Sequence, residues 1–227
     1  MLQTLRNAWK IPDLRRKIIY TVFLLIVFRF GSVIPVPWID TGVLQTWLNG
    51  AQGSTLFDLL DTYSGGAFSQ ATIFAMSISP YINSSIIMQL LCVAIPALER
   101  MSKEGEEGRK KITKITRYVT VALAALQAYG LFVTLHNQGA IMTVPGVPKA
   151  LVGFTIILAF TAGTAFLMWL GEEITGKGIG NGISMLIFAG IVSRIPTMMQ
   201  TAWKGFVPTG KWYMLIILLI YSIASIM

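Results

Sequence analysis

The chain has 227 residues, of which 54% are hydrophobic and only 12% are charged, and its mean hydropathy is +0.67. A soluble globular domain carries about twice that share of charged residues, so the composition indicates a polytopic membrane protein. The net charge of +8 does not indicate nucleic-acid binding, because the basic residues are concentrated in alternate hydrophilic segments, the positive-inside pattern of membrane proteins.

The first 17 residues are predicted to form a cytosolic amphipathic N-terminus, with Leu2, Leu5 and Trp9 at helical spacing, although a frayed tail is the alternative. Pro12 and Asp13 interrupt that pattern, and the first membrane span is predicted over residues 18–36. Arg29 lies inside this span. Its side chain either reaches the outer membrane surface or makes a buried polar contact.

The segment from residue 37 to residue 70 contains no Lys or Arg, as expected for an external loop. Within it, TLFDLLDTYSGGAF has a short apolar face, the carboxylates of Asp58 and Asp61, and a Gly65-Gly66 helix breaker. This stretch is too short to span a membrane. It is either a surface cap or a re-entrant segment that enters the mouth of a cavity.

The second span is predicted over residues 71–95, with Pro80 bending the helix in the middle of the run. Its many polar side chains, including Ser84 and Gln89, should face other helices or a watery cavity rather than lipid. Ile78 and Ile82 are four residues apart, so they share a helix face and can constrict such a cavity.

A charged cytosolic loop is predicted over residues 96–114, either as a partner contact or as a solvated hairpin, followed by spans over 115–135, 151–171 and 183–199. Small residues at spacing of four favour close helix packing in the third and fourth spans (Ala124 and Ala128, Ala159 and Gly163). Residues 202–227 are predicted to be an external loop and the start of a sixth span. That apolar run reaches only about 24 Å, so the sequence is expected to be a fragment or one chain of a split protein.

The run GEEITGKG, residues 171–178, comes within one residue of a phosphate-binding loop. Gly178 stands where that motif needs a hydroxyl, and the run follows a predicted membrane helix rather than a strand. We therefore interpret it as a tight cytosolic turn, with Asn181 capping the fifth span.

Three runs resemble the SecY family of protein-translocation channels, of the Gram-positive bacterial type: RFGSVIPVPWID (29–40), ATIFAMSISPYINSSIIMQLL (71–91) and GEEITGKGIGNGISMLIFAGIV (171–192). The resemblance extends over essentially the whole chain. It implies an all-α, polytopic membrane protein, here the N-terminal half of a ten-span inverted-repeat translocation channel, comprising spans 1–5 and the start of span 6.

The resemblance also implies roles for individual residues. The hydrophobic pore ring would consist of Ile78, Ile82, Ile183 and Ile187, and the lateral gate for signal sequences would include Asn83 and Gln127. Cytosolic partners would contact Arg109, Lys110 and Lys111. A plug that closes the pore from outside would comprise Leu56, Phe57, Asp58, Leu59, Leu60, Asp61, Thr62, Tyr63, Ser64, Gly65, Gly66, Ala67 and Phe68.

The function that follows is a protein-conducting channel in the bacterial cytoplasmic membrane, with a cytosolic N-terminus. Implied partners are the channel subunits SecE and SecG, the motor ATPase SecA or a ribosome, secretory preproteins with their signal peptides, and membrane lipids. Nucleic acid is expected only through ribosome docking, and no catalytic, cofactor or metal site is expected.

Two other classes fit less well. A small-molecule transporter also has broken helices, but it usually carries ionisable groups at mid-membrane, and here the ten acidic residues all lie in predicted loops. An intramembrane enzyme would need a metal cluster or a nucleophile with its base, and neither Cys92 nor His136, each the single residue of its type, supplies one.

Overall fold

The computed structural model describes residues 11–50, 61–142 and 146–206, and the chain there is helical, with isolated β-bridges but no strand. This confirms the predicted all-α class. The helices described in these ranges are α1 (Pro12–Gly31), α2 (Thr41–Gly50), α3 (Ser79–Ala94), α4 (Pro96–Lys103), α5 (Glu106–Asn137), α6 (Lys149–Lys177) and α7 (Gly182–Phe206). The predicted N-terminal helix and sixth span lie outside the described residues.

The first predicted span is displaced, because α1 begins at Pro12 and ends at Gly31 rather than covering residues 18–36. Pro12 does not interrupt the helix but starts it, since the first turn needs no backbone donor at that position. After Gly31 the chain turns, and Pro35 forms an antiparallel bridge with Thr72. Asp40 then caps α2 by accepting hydrogen bonds from the backbone N–H groups of Gly42 and Val43.

The second predicted span is helical only from Ser79 onward, and residues 71–78 form successive turns. Pro80 therefore lies in the first turn of α3, where it is tolerated, and not at a bend within a longer helix. The turns require unusual backbone angles, with φ of +47° at Ala71 and +53° at Ser77. The bend in this region comes later, at Ile95, where the chain bends by 101° between α3 and α4.

The predicted charged loop is mostly helical. Pro96 starts α4, Gly105 reverses the chain at φ +80°, and α5 follows at once with acidic residues in its first turn. The reversal is tight, because a Cβ on Gly108 would lie only 1.7 Å from the Met101 carbonyl oxygen. Arg109, Lys110 and Lys111 consequently lie on a helix rather than in a loop.

The fourth and fifth predicted spans are helices that extend beyond the predicted ranges. In the GEEITGKG run, α6 continues to Lys177, so the turn is confined to residues 178–181. Asn181 Oδ1 accepts the backbone N–H groups of Ile183 and Ser184 at 3.0 and 3.4 Å, which confirms the predicted cap of α7.

Helices pack closely at small residues for which the sequence predicted such packing. Ala124 and Ala128 of α5 are fully buried, and Ala128 belongs to the core cluster that also contains Ile156 and Phe160 of α6. Gly163 of α6 admits the backbone of Ile73, whose carbonyl oxygen would be 2.0 Å from an added Cβ. Phe74 fits against Gly31 and stacks between Phe28 and Phe166.

The outer surface of the bundle is strongly apolar, as a lipid-facing surface would be. Exposed residues include Phe23 and Phe30 of α1, Leu90 of α3 and Phe154 of α6. By length and composition alone, α5 and α6 can each cross a membrane, and the bent pair α3–α4 is a third candidate among the described residues. α1 does not meet that criterion, because Asp13, Arg15, Arg16, Lys17 and Arg29 leave it no long stretch with few charges.

Candidate functional site

The four isoleucines predicted to form a pore ring lie in one apolar cluster, although they come from two segments far apart in the sequence, the start of α3 and α7. Ile78 is 3% exposed within this cluster, and Ile82, Ile183 and Ile187 pack against it while keeping part of their surface accessible. Gly171 of α6 lies between the two pairs. A Cβ at Gly171 would be 3.4 Å from Ile183 Cγ1 and 3.6 Å from Ile78 Cδ1.

The described part of the predicted plug, residues 61–68, packs against the same cluster through Ala67, while Leu56–Leu60 lie outside the described residues. Residues 61–63 are helical and the chain then turns at Gly65 and Gly66, with φ of +67° and +88°. Both angles favour glycine. The turn places this segment beside α7, where Gly190 admits the Tyr63 carbonyl oxygen to 2.7 Å from a Cβ position.

The two residues predicted for the lateral gate lie on two helices that contact each other, α3 and α5. Asn83 is exposed on α3, Gln127 is half-buried on α5, and neither side chain makes a hydrogen bond within the described part of the chain. The contact between these helices is made instead by Ser84, which is fully buried. Its hydroxyl lies 2.8 Å from the Thr120 hydroxyl and donates to the Thr116 carbonyl at 3.0 Å.

Arg109, Lys110 and Lys111 occupy the first turns of α5, at the same end of the bundle as α4. Arg109 lines an open groove of about 600 Å³ between α3, α4 and α5, together with Met88, Gln89 and Cys92. Lys111 also forms a long, exposed ion pair of 3.7 Å with Glu104. All three basic side chains are exposed and accessible to a partner.

Interhelical polar contacts at this end were not found by sequence reasoning. Glu172 of α6 pairs with Arg117 of α5 at 2.8 Å, and Glu173 accepts a hydrogen bond from Tyr20 of α1 at 2.9 Å. Thr21 accepts the backbone N–H of Ile179 at 3.1 Å. The GEEITGKG run thus joins three helices, and the two adjacent carboxylates beside an apolar run were the available signal.

A second polar contact lies at the predicted plug. Asp61 is only 8% exposed, and its Oδ2 lies 2.8 Å from Nη1 of Arg194 on α7. Arg29 of α1 approaches the same place, with Nη1 3.5 Å from the Gly65 carbonyl oxygen and 3.4 Å from the Ser193 hydroxyl. Arg29 therefore makes polar contacts although its side chain is exposed. A cation within each of two apolar runs was the available signal for polar partners at this place.

Comparison with known sequences gives a consistent result. The sequence model of the SecY family matches residues 72–227. The protein translocase subunits SecY of Bacillus licheniformis and Bacillus subtilis are 44% and 46% identical over 92% and 86% of this chain. That of Thermotoga maritima is 43% identical over 100% of the chain. The chain spans about half the length of these relatives, between 44% and 53%.

Solved structures share the fold. A structure described as that of a protein conducting channel and the Sec61 channel of the canine ribosome-channel complex each align with a TM-score of 0.57 at 24% identity. Each alignment covers 89% of this chain and 42% of the other. A third, at a TM-score of 0.54 and 23% identity, comes from work on the SecY plug domain, which is described as stabilising the closed state.

Proposed function

Because the chain belongs to the SecY family, we propose that it forms half of a channel that conducts unfolded polypeptides across a membrane and releases apolar segments sideways into lipid. The observation that carries this proposal is the joining of Ile78 and Ile82 with Ile183 and Ile187 in one apolar cluster. The family resemblance selected these two pairs from distant parts of the sequence, and their proximity in one cluster supports the pore-ring assignment.

An aliphatic constriction suits a channel that must accept many sequences. Isoleucine side chains form no hydrogen bonds with a passing peptide, so they do not select its sequence, and a narrow apolar neck tends to lose its water and block ions. Ile82, Ile183 and Ile187 retain accessible surface for this role. Ile78, the fourth member of the proposed ring, is 3% exposed and lies beside Gly171.

Residues 56–68 act as the plug, and Asn83 and Gln127 border the lateral gate. The plug assignment is supported by the contact of Ala67 with the isoleucine cluster and by the turns that place residues 61–68 beside α7. The apolar exterior of α3 and α5, with Leu90 and Leu126 exposed, is compatible with a gate that opens toward lipid.

The channel lies in the bacterial cytoplasmic membrane with the N-terminus of this chain in the cytosol. The start of α1, the α4–α5 turn and the end of α6 lie at one end of the bundle, joined through Tyr20, Glu173, Glu172 and Arg117. These segments carry most of the basic residues, as the cytosolic side should. Arg109, Lys110 and Lys111 there contact the motor SecA or a ribosome.

The remaining partners are those of the family: SecE and SecG as further subunits, and secretory preproteins and signal peptides as substrates. The channel works without a catalytic group, a metal or a cofactor of its own. Energy for transport comes from the motor or the ribosome. The second half of the pore comes from the part of the family's length that this chain does not span, so this chain reconstituted alone should not translocate proteins.

The test is a change of the ring to serine in the complete channel. Replacing Ile82, Ile183 and Ile187 by Ser should wet the neck, so that the resting channel leaks ions while preprotein transport continues. A variant with Ile78→Ser added should leak as well, but it should also unfold more easily because Ile78 is buried. Single-channel conductance, a proton-leak assay and preprotein transport into vesicles measure these effects.

A matched control replaces three exposed isoleucines outside the cluster, Ile19, Ile26 and Ile87, by Ser. This variant should stay as tight to ions as the parent. If the ring variant and the control conduct equally little while both transport preprotein, the isoleucines are ordinary core residues and the pore assignment is wrong.

A further inference from the structure

We propose that Asp61 and Arg194 form an ion-pair latch that holds the plug against α7 in the resting channel, and that displacement of α7 releases it. This inference rests on the proposed function, because it presumes that residues 56–68 close a pore. It adds the specific contact that holds the closed position and the helix that controls it.

The first support is the placement of the two charges. Asp61 Oδ2 and Arg194 Nη1 are 2.8 Å apart, and the side chains are 11% and 27% exposed. Asp61 is 8% exposed as a residue, so its carboxylate is largely removed from solvent. A carboxylate so placed needs a counter-charge, because an unpaired buried charge is strongly unfavourable.

The second support is that Asp61 also fixes the turn that follows it. Its Oδ1 accepts the backbone N–H of Ser69 at 2.8 Å, and its carbonyl oxygen accepts the backbone N–H of Gly66 at 2.8 Å. The Ser64 hydroxyl donates to the same carbonyl at 3.1 Å. The carboxylate therefore orders the plug segment with one oxygen and joins it to α7 with the other.

The third support is that the facing surfaces leave no room between them. A Cβ on Gly190 would be 2.7 Å from the Tyr63 carbonyl oxygen, and a Cβ on Gly65 would be 2.9 Å from the Ser193 hydroxyl. The two backbones thus meet directly beside the ion pair. Arg29 adds longer contacts to Gly65 and Ser193, so positive charge approaches the segment from two helices.

The latch is coupled to the predicted ring through α7. Arg194 and Ile187 lie on this helix within two turns of each other, so a movement that draws Ile187 away from the ring also moves Arg194. When the pair separates, Asp61 becomes hydrated rather than remaining buried without a counter-charge. A polypeptide that widens the ring would in this way release the plug.

The experiment uses the complete channel in vesicles and a disulfide as the reporter of plug position. With Cys92→Ala as background, the reporter is the pair Gly65→Cys and Ser193→Cys, because a Cβ built on Gly65 lies 2.9 Å from the Ser193 hydroxyl oxygen, within reach of a sulfur–sulfur bond of about 2 Å. A cysteine at the positive φ of Gly65 is strained, but this strain is the same in every variant compared.

Arg194→Gln should slow disulfide formation about tenfold or more and raise the resting ion conductance by a similar factor, because it leaves Asp61 unpaired. Asp61→Asn should act in the same direction while keeping an acceptor for Ser69. Arg194→Lys keeps the charge and should restore most of both readouts. Asp40→Asn, which removes a carboxylate that contacts α2 rather than the plug, should change neither.

Disulfide formation and conductance equal to the parent in Arg194→Gln would overturn the latch, and so would slower cross-linking without added conductance. Preprotein transport by the parent is measured in the same vesicles. Its absence would refute the proposed function, whereas the response of the disulfide to the charge would still report on the contact.

Discussion

Gly163 provides a direct test of how tightly the turns before the pore ring pack on α6. A Cβ added at this position would lie 2.0 Å from the Ile73 carbonyl oxygen and 2.8 Å from the Ile73 carbonyl carbon. An unstrained carbon–oxygen contact is about 3.3 Å. Gly163→Ala must therefore move one backbone by about 1 Å. Retreat of Ile73 is resisted, because its N–H is bonded to the Ile34 carbonyl at 3.1 Å.

The free-energy cost can be bounded from these contacts. Overpacking in a filled interior costs about 1–3 kcal/mol, and an obstacle that is backbone on both sides belongs at the upper end of that range. Alanine regains about 0.5–1 kcal/mol through its better helix propensity. The net loss is then about 2 kcal/mol, which for a chain of this length lowers the melting temperature by roughly 4–8 °C.

The assay is thermal unfolding in detergent, followed by far-UV circular dichroism. The control is Gly176→Ala in the same helix, where an added Cβ meets nothing within 4 Å. That variant should melt at the parent's temperature or slightly above it. Equal melting temperatures for Gly163→Ala and Gly176→Ala would refute the close approach of Ile73 to α6.

Three further predictions concern other contacts. Replacing Arg109, Lys110 and Lys111 by Glu should weaken SecA binding, more clearly at low salt because these side chains are exposed; unchanged affinity across a salt series would make this end of α5 a solvated surface only. Ser84→Ala should cost about 1 kcal/mol of stability by removing the buried contact to Thr116 and Thr120. The control is Ser85→Ala, a serine without such a contact among the described residues, and equal melting temperatures for the two variants would contradict the prediction. Asn181→Ala should cost about 1 kcal/mol by uncapping α7, whereas Asn181→Asp should retain the cap; equal unfolding temperatures for these two would rule out the cap as a source of stability.

Much of the fold follows from local properties of the sequence. Long apolar runs with few charges give the helices α5 and α6, and small residues at spacing of four mark where helices pack, because only Ala and Gly admit so close an approach. Asn181 before an apolar run gives a helix cap for an equally local reason. The isoleucine pairs were identified by their motifs, since an i, i+4 pair alone is equally typical of a packed core.

Other features depend on residues that are distant in sequence. A proline in the sequence can end a helix, bend it or start it. In this structure Pro12, Pro80 and Pro96 all lie in the first turn of a helix. At Pro80 the packing of Phe74 against Gly31 and of Ile73 against Gly163 holds residues 71–78 in turns. Those contacts join three segments that are distant in sequence, so they cannot be predicted from local helix propensity.

The same reason applies to the charges. Arg29 and Arg194 were visible as cations in apolar runs, and Asp61 as a carboxylate in an apolar segment. From the sequence alone, several acidic residues could have formed an ion pair with either arginine. The tertiary structure determines which pair forms. The turn at Gly65 and Gly66 and the close approach at Gly190 place this segment beside α7, where Asp61 lies within ion-pairing distance of Arg194.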